Sequence, residues 1–304
     1  MSAAKDIRGL RLSLPATSAN LGPGFDAAGL ALSMRLTVEA RVAAWFQIEA
    51  TGRDAALCGA LEHNLILDTY RDVLTRAGVE VLPLHLKLHN EIPLGMGCGS
   101  SAAALLAGVA LAEHFGGLGM GDAGIVAEAS RIEGHPDNVT ACWYGGFTVS
   151  AEAGDAVEVA TFAGDPAWEM LLAVQPTSLA TKKARALLPE SYSKGDVIFN
   201  VQRASLLVAA FAQRRLELLA TAMQDRMHQP YRAEACPLLE KLLPLMSEPE
   251  IAGVALSGAG PSVLVFLAGE TTLLEAETRI QGLVGQDVEL LPLRIGGGVE
   301  RTLL

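Results

Sequence analysis

At 304 residues, with 50% hydrophobic and 19% charged residues, the chain is long enough for two separately cored domains and has the composition of a folded globular protein, not a disordered one. Its 23 Lys and Arg against 34 Asp and Glu give a formal net charge of −11, which argues against nucleic acid or an anionic membrane surface as partner. An anionic ligand would need a local positive site.

No apolar stretch lies behind Lys5, Asp6 and Arg8, so no signal peptide is predicted. Leu10 to Leu14 alternates apolar and polar residues like a half-buried strand. A small polar loop follows, Pro15-Ala16-Thr17-Ser18-Ala19-Asn20-Leu21-Gly22-Pro23-Gly24-Phe25-Asp26. Its amide Asn20 and carboxylate Asp26 can hydrogen-bond a hydroxyl or an ammonium, or Asp26 can simply cap the next segment. Leu36 to Val42 reads as a second strand, Asn64 to Arg76 as a helix and Leu84 to Leu88 as a third strand. On that third strand His85, Lys87 and His89 share a solvated face, not a metal site.

Pro93-Leu94-Gly95-Met96-Gly97-Cys98-Gly99-Ser100-Ser101 then runs straight into an Ala/Leu-rich helix, Ala102 to Phe115, which Gly116-Gly117 ends. Alternating glycines permit φ > 0 turns and close approach to a ligand, and the free N–H groups at a helix start favour a phosphate. A serine oxygen there can cap the helix or reach a metal. The segment is neither a Walker A loop, which needs a lysine, nor a dinucleotide fingerprint, since Ser100 stands where a third spaced glycine belongs. The helix is too short and too soon charged, at Glu113, to span a bilayer.

Helical periodicity returns at Ile125 to Ile132, followed by Glu133-Gly134-His135-Pro136-Asp137-Asn138, where polar ends crowd one turn with Glu128 upstream. Carboxylates facing a phosphate imply Mg²⁺ between them; otherwise these residues only cap a turn. Gly145 to Ser150 reads as a strand, and the Gly/Asp/Pro-rich Ala151 to Pro166 marks a domain boundary. Beyond it come a strand at Met170 to Val174 and a helix from about Phe199 to Met227. A strand–turn–strand at Gly253 to Leu267, around Ser257-Gly258-Ala259-Gly260-Pro261-Ser262, and a closing strand at Val288 to Ile295 complete the chain. Strands mixed irregularly with helices predict an α+β architecture. Cys58, Cys98, Cys142 and Cys236 lack metal or redox spacing and read as free thiols, which makes the cytoplasm the expected location.

In order and wording these segments resemble the kinases named for galactose, homoserine, mevalonate and phosphomevalonate, the GHMP kinases, and most closely the homoserine kinases. The resemblance spans nearly the whole chain, and the loop Pro15 to Asp26 is its most specific part. Met96 and Cys98 depart from the family's usual residues in the phosphate loop but keep its glycines. The resemblance implies a two-domain fold, with an ATP-binding domain at 1–160 like domain 2 of ribosomal protein S5 and a ferredoxin-like domain at 161–304 that completes the substrate site.

It further implies transfer of the γ-phosphoryl of ATP to the hydroxyl of L-homoserine, giving O-phosphohomoserine for threonine synthesis. On matching positions it places ATP on Pro93, Leu94, Gly95, Met96, Gly97, Cys98, Gly99, Ser100, Ser101, Ala102 and Ala103. Mg²⁺ falls to Ser101 and a glutamate before the His-Pro-Asp-Asn turn, here Glu128 with Glu133 as rival. Homoserine falls to Asn20, Asp26, His135, Asn138, Arg185 in Thr181-Lys182-Lys183-Ala184-Arg185, and Arg232 in His228-Gln229-Pro230-Tyr231-Arg232. Asp26 suits the ammonium and two guanidinium forks suit the carboxylate. Asp137 and Asn138, with Ser101 the catalytic candidates, compete for the place of a general base. A homodimer is among the expected partners; nucleic acid and membrane are not. The alternatives are a related kinase acting on an alcohol such as mevalonate, and a ligand sensor without activity.

Overall fold

The computed structural model describes residues 7–175, 184–269 and 272–304 of the chain. Its first layer is a sheet in the order β11-β1-β2-β4-β3, with β5 also on β2 and β6 on β5. The strands are β1 (Leu10–Asn20), β2 (Gly24–Val42), β3 (Gln47–Gly52), β4 (Leu84–Asn90), β5 (Phe147–Ala153), β6 (Ala156–Phe162) and β11 (Glu300–Leu303). Alternation drives the pairing: Leu12 and Leu14 on β1, Val38 and Ala40 on β2, and Leu84 and Leu86 on β4 are all fully buried. The outer face of β4 is wet as predicted, with His85 and Lys87 meeting Glu49 of β3.

Helices α2 (Leu65–Arg76), α3 (Ser100–Gly116), α4 (Gly121–Glu133) and α5 (Asp137–Tyr144) follow the short α1 (Ala55–Cys58). The Asn64 side chain caps α2. α3 is apolar nearly all round because it is buried from Ala102 to Ala112 with few breaks. Its start is capped by Gly99 in the left-handed region and by no side chain, so of the two roles open to the serines the cap is not used.

The second layer runs β7 (Met170–Val174), helices, β8 (Ile251–Leu256), β9 (Val263–Leu267), helix Leu273–Val284 and β10 (Glu289–Leu293), with sheet order β10-β7-β9-β8. Two βαβ halves interleaved in this order form a ferredoxin-like split. The helix predicted over Phe199 to Met227 instead spans Lys194–Gln213. Arg214 takes φ 54° there and returns its N–H to the Ala210 and Phe211 carbonyls, which ends the helix.

Two features join the layers. Phe211 stacks on Phe147 of β5 at 4.1 Å and meets Trp168 and Phe266 edge-on. The chain end also returns as β11 to pair with β1 in the first sheet. A cut at residue 160 therefore falls inside β6, and 300–303 belong to the first layer. No described helix is long and apolar enough to cross a membrane.

Candidate active site

The predicted polar loop is mostly strand. β1 continues to Asn20 and β2 begins at Gly24, with register shifts between Pro15 and Thr17 and between Ala19 and Asn20 that turn the hairpin end toward the cavity. Asn20 and Leu21 take φ 69° and 47°, and Asp26 φ 54°, all left-handed. The Asn20 side chain stabilises this turn: its Oδ1 accepts from the Asp26 N–H at 3.0 Å and its Nδ2 donates to the Gly258 carbonyl at 2.9 Å.

The glycine-rich loop lies beside it. Gly95, Gly97 and Gly99 have φ 70°, 75° and 67°, so the left-handed turns expected from their alternation are present. The reason two of them must be glycine is packing within the protein. A Cβ on Gly97 would overlap the Ser257 carbonyl, and one on Gly99 would overlap Thr17 Oγ1. The Thr17 N–H reaches the Cys98 carbonyl, Ser257 Oγ donates to the Gly97 carbonyl and the Gly258 N–H to the Ala19 carbonyl. Three loops far apart in sequence are thus joined into one wall. The Cys98 side chain is buried in it, its thiol pushed up to about 12, chiefly by burial, and Met96 packs against the core.

The wall lines one side of a cavity of about 550 Å³ that runs from Leu57 and Asn64, past the glycine loop and Ser101, to Asp26, Arg185 and Arg232. In its middle Ser101 Oγ donates to Glu133 Oε1 at 2.5 Å. Glu128, the expected metal ligand, does not reach the cavity. Arg76 and Arg131 take its carboxylate instead, and although burial opposes its charge, the two arginines hold the carboxyl below its ordinary value. Among the described residues no three His, Cys, Asp or Glu side chains form a metal cluster.

Asp137 and Asn138 begin α5 and are buried. Asp137 Oδ1 accepts from the Asn138 N–H at 2.7 Å and His135 Nδ1 at 2.8 Å, and this hydrogen bond raises the imidazole above its usual range despite burial. Asn138 Oδ1 in turn accepts from Thr17 Oγ1 at 2.7 Å.

Both expected arginines arrive at the far end. Arg185 forms a two-pronged pair with Asp26, both bonds 2.8 Å. The residues Thr181 to Lys183 of its motif lie outside the described residues. Arg232 is 1% exposed. It donates to the carbonyls of Ala184 and Gly258 and to His228 Nδ1, and among the described residues no carboxylate lies within ion-pair distance of it. Burial pushes the guanidinium pKa down, and the charge of Arg185 adds to that. The Phe25 ring faces both guanidinium groups, at 5.4 and 5.5 Å.

The sequence assigns no individual role to Thr17, Phe25, Ser257 or His228. The first two lie inside the quoted loop, and His228 stands four residues before Arg232, one helical turn away.

Comparison with known proteins gives the family. Residues 64–146 match the GHMP kinases N terminal domain model and residues 207–282 the GHMP kinases C terminal model. A homoserine kinase of Solibacter usitatus is 45% identical over 282 residues, covering 92% of each chain. One from Thermus thermophilus is 38% identical, covering 95% of this chain and 97% of its own. The crystal structure of a homoserine kinase from Cytophaga hutchinsonii shares the fold with TM-score 0.80 and 23% identity, over 99% of both chains. With the fold, the loops and these relatives in agreement, the chain belongs to the GHMP kinases, within the homoserine kinase family.

Proposed function

We propose that the protein transfers the γ-phosphoryl group of ATP to the hydroxyl of L-homoserine, releasing ADP and O-phospho-L-homoserine. The observation that carries this reading is Arg232: a buried guanidinium on the cavity wall that, among the described residues, hydrogen-bonds only neutral acceptors. Burying a cation this way is costly unless an anion completes it. A substrate carboxylate would do so, while Asp26 beside it suits an ammonium.

The phosphates of ATP would lie on the free N–H groups at the start of α3. Ser101 and Glu133, a hydroxyl and a carboxylate at the cavity centre, fit Mg²⁺, which takes few protein oxygens and keeps the rest for phosphate and water. When bound, the ion would neutralise charge on the phosphates. Of the two residues competing for the base, only Asp137 can accept the hydroxyl proton, since the amide of Asn138 cannot. The P–O bond to the new ester forms as the bond to the β-phosphate oxygen breaks, and positioning supplies most of the rate. The four free cysteines support a cytoplasmic setting.

A coupled ADP-release assay with homoserine, 4-hydroxybutyrate, 3-aminopropanol, mevalonate and galactose tests the reading. Homoserine should be the preferred acceptor. Faster turnover of mevalonate or galactose would reject the substrate, and no ADP release with any acceptor would reject the activity.

A further inference from the structure

His228 is fully buried, yet it is surrounded by polar groups whose directions determine its protonation. Its Nε2 faces two acceptors, the Gly22 carbonyl at 2.7 Å and Asp225 Oδ2 at 3.6 Å, so Nε2 must carry a hydrogen. Its Nδ1 faces a donor, Arg232 Nη1 at 3.2 Å, so Nδ1 must present a lone pair. A second ring hydrogen would point at the guanidinium. Asp225 does not pull one in, because its oxygens already accept from the N–H groups of Met227, His228 and Gln229 and from Asn200 Nδ2. The ring also lies 5.3 Å from that of Phe25, in the loop carrying Asp26.

From this geometry we infer that His228 is a positioning residue: as a neutral Nε2–H imidazole it aims Arg232 at the substrate carboxylate and ties it to the Gly22–Asp26 loop. One ring thereby sets the distance between the group for the carboxylate and the group for the ammonium. The loop comes from the first layer and His228 and Arg232 from the second, with Gly22 and His228 206 residues apart. The inference rests on the proposed homoserine kinase activity.

Two substitutions separate its two hydrogen bonds. Asparagine carries its amide oxygen on Cγ, where histidine carries Nδ1, so His228→Asn retains an acceptor for Arg232. Glutamine places its amide one bond further out, near the Nε2 position, so His228→Gln retains the bond to Gly22 and abandons Arg232. We expect His228→Gln to raise the KM for homoserine by about tenfold or more and His228→Asn by less than about threefold, with the KM for ATP unchanged in both. His228→Gln should also lose much of the preference for homoserine over its uncharged methyl ester. A His228→Gln enzyme with wild-type KM and ester discrimination, or variants in which both substrates suffer alike, would overturn the inference.

If either variant folds poorly, the native protein still decides the matter. Nitrogen-15 NMR of the wild-type imidazole should show the neutral Nε2–H tautomer across neutral pH, and an imidazolium or the Nδ1–H tautomer would refute the assignment. Wild-type ADP release with homoserine alongside indifferent His228 variants would sink this inference alone. Absent wild-type activity would instead sink the function.

Discussion

The two ends of the cavity are built on different principles. At the end proposed for the phosphates the available groups are backbone N–H groups, glycines and one hydroxyl, nearly all within Pro93 to Ser101. At the other end they are charged side chains: Asp26 from the first hairpin, Arg185, which pairs with it from 159 residues away, and Arg232 from a short helix of the second layer. A phosphate is highly charged and can be held by many weak dipoles at a helix start. A small zwitterion needs one opposite charge for each of its own, and no contiguous segment supplies them with the correct spacing. The contrast teaches that the groups proposed for ATP are contiguous in the chain, although distant loops hold them in place, while those proposed for the amino acid are gathered only by the assembled fold.

The largest effect tests whether the phosphate end is as local as it looks. Gly97 has φ 75°, and a Cβ there would overlap the Ser257 carbonyl of the second layer. The left-handed strain alone is about 1–3 kcal/mol, before the backbone overlap is relieved. Gly97→Val should therefore lower the denaturation midpoint substantially as well as abolish nucleotide binding. A variant that melts like wild type but fails to bind ATP would mean that this glycine serves the ligand only, and the phosphate end would be local after all.

That glycine shows where sequence reading stops. The alternation of Gly95, Gly97 and Gly99 predicts left-handed turns, and all three are left-handed. It does not reveal that Thr17 and Ser257 occupy the space a side chain would need, because those contacts span 82 and 160 residues. Strand alternation likewise made β1, β2 and β4 legible, and apolar runs the strands of the second layer, yet neither gave a hint that Arg214 would stop the long helix at Gln213. The family motif placed Arg185 and Arg232 together, but not the pairing of Arg185 with Asp26. Charge pairing depends on which partner the fold brings near, and sequence spacing carries little of that information.

The same limit separates Glu128 from Glu133. Both precede the His-Pro-Asp-Asn turn, but α4 turns Glu128 toward Arg76 and Arg131, while Glu133, at the helix end, meets Ser101. Removing a carboxylate that holds the metal forfeits several kcal/mol of transition-state stabilisation, so Glu133→Gln should reduce kcat by about a hundredfold or more. Excess Mg²⁺ should recover part of the loss. Glu128→Gln should keep kcat near wild type, and steady-state kinetics of the two variants over a Mg²⁺ series decide between them. A large loss in Glu128→Gln with a silent Glu133→Gln would restore the original assignment.

The smallest effect concerns Asp26, and it sharpens the contrast from the other side. Asp26 pairs with Arg185, and both side chains are partly exposed, 32% and 42%. An exposed pair of this kind contributes about 0–1 kcal/mol to stability, so Asp26→Asn should barely shift the melting temperature. With homoserine bound the same carboxylate would meet an ammonium, and a charge-assisted bond of that kind is worth roughly 1.5–3 kcal/mol. Homoserine affinity should then fall by about ten- to a hundredfold, at 1.4 kcal/mol per factor of ten. ATP affinity should hold, because the proposed phosphate site is the start of α3 and Asp26 lies at the other end of the cavity. Calorimetric titration of each substrate against the variant gives both numbers. If ATP and homoserine weaken together, Asp26 maintains the shape of the whole cavity, and its two ends are one structural unit. If homoserine alone weakens, the ends are independent, and selectivity for the amino acid is carried by charged side chains the phosphate loop never touches.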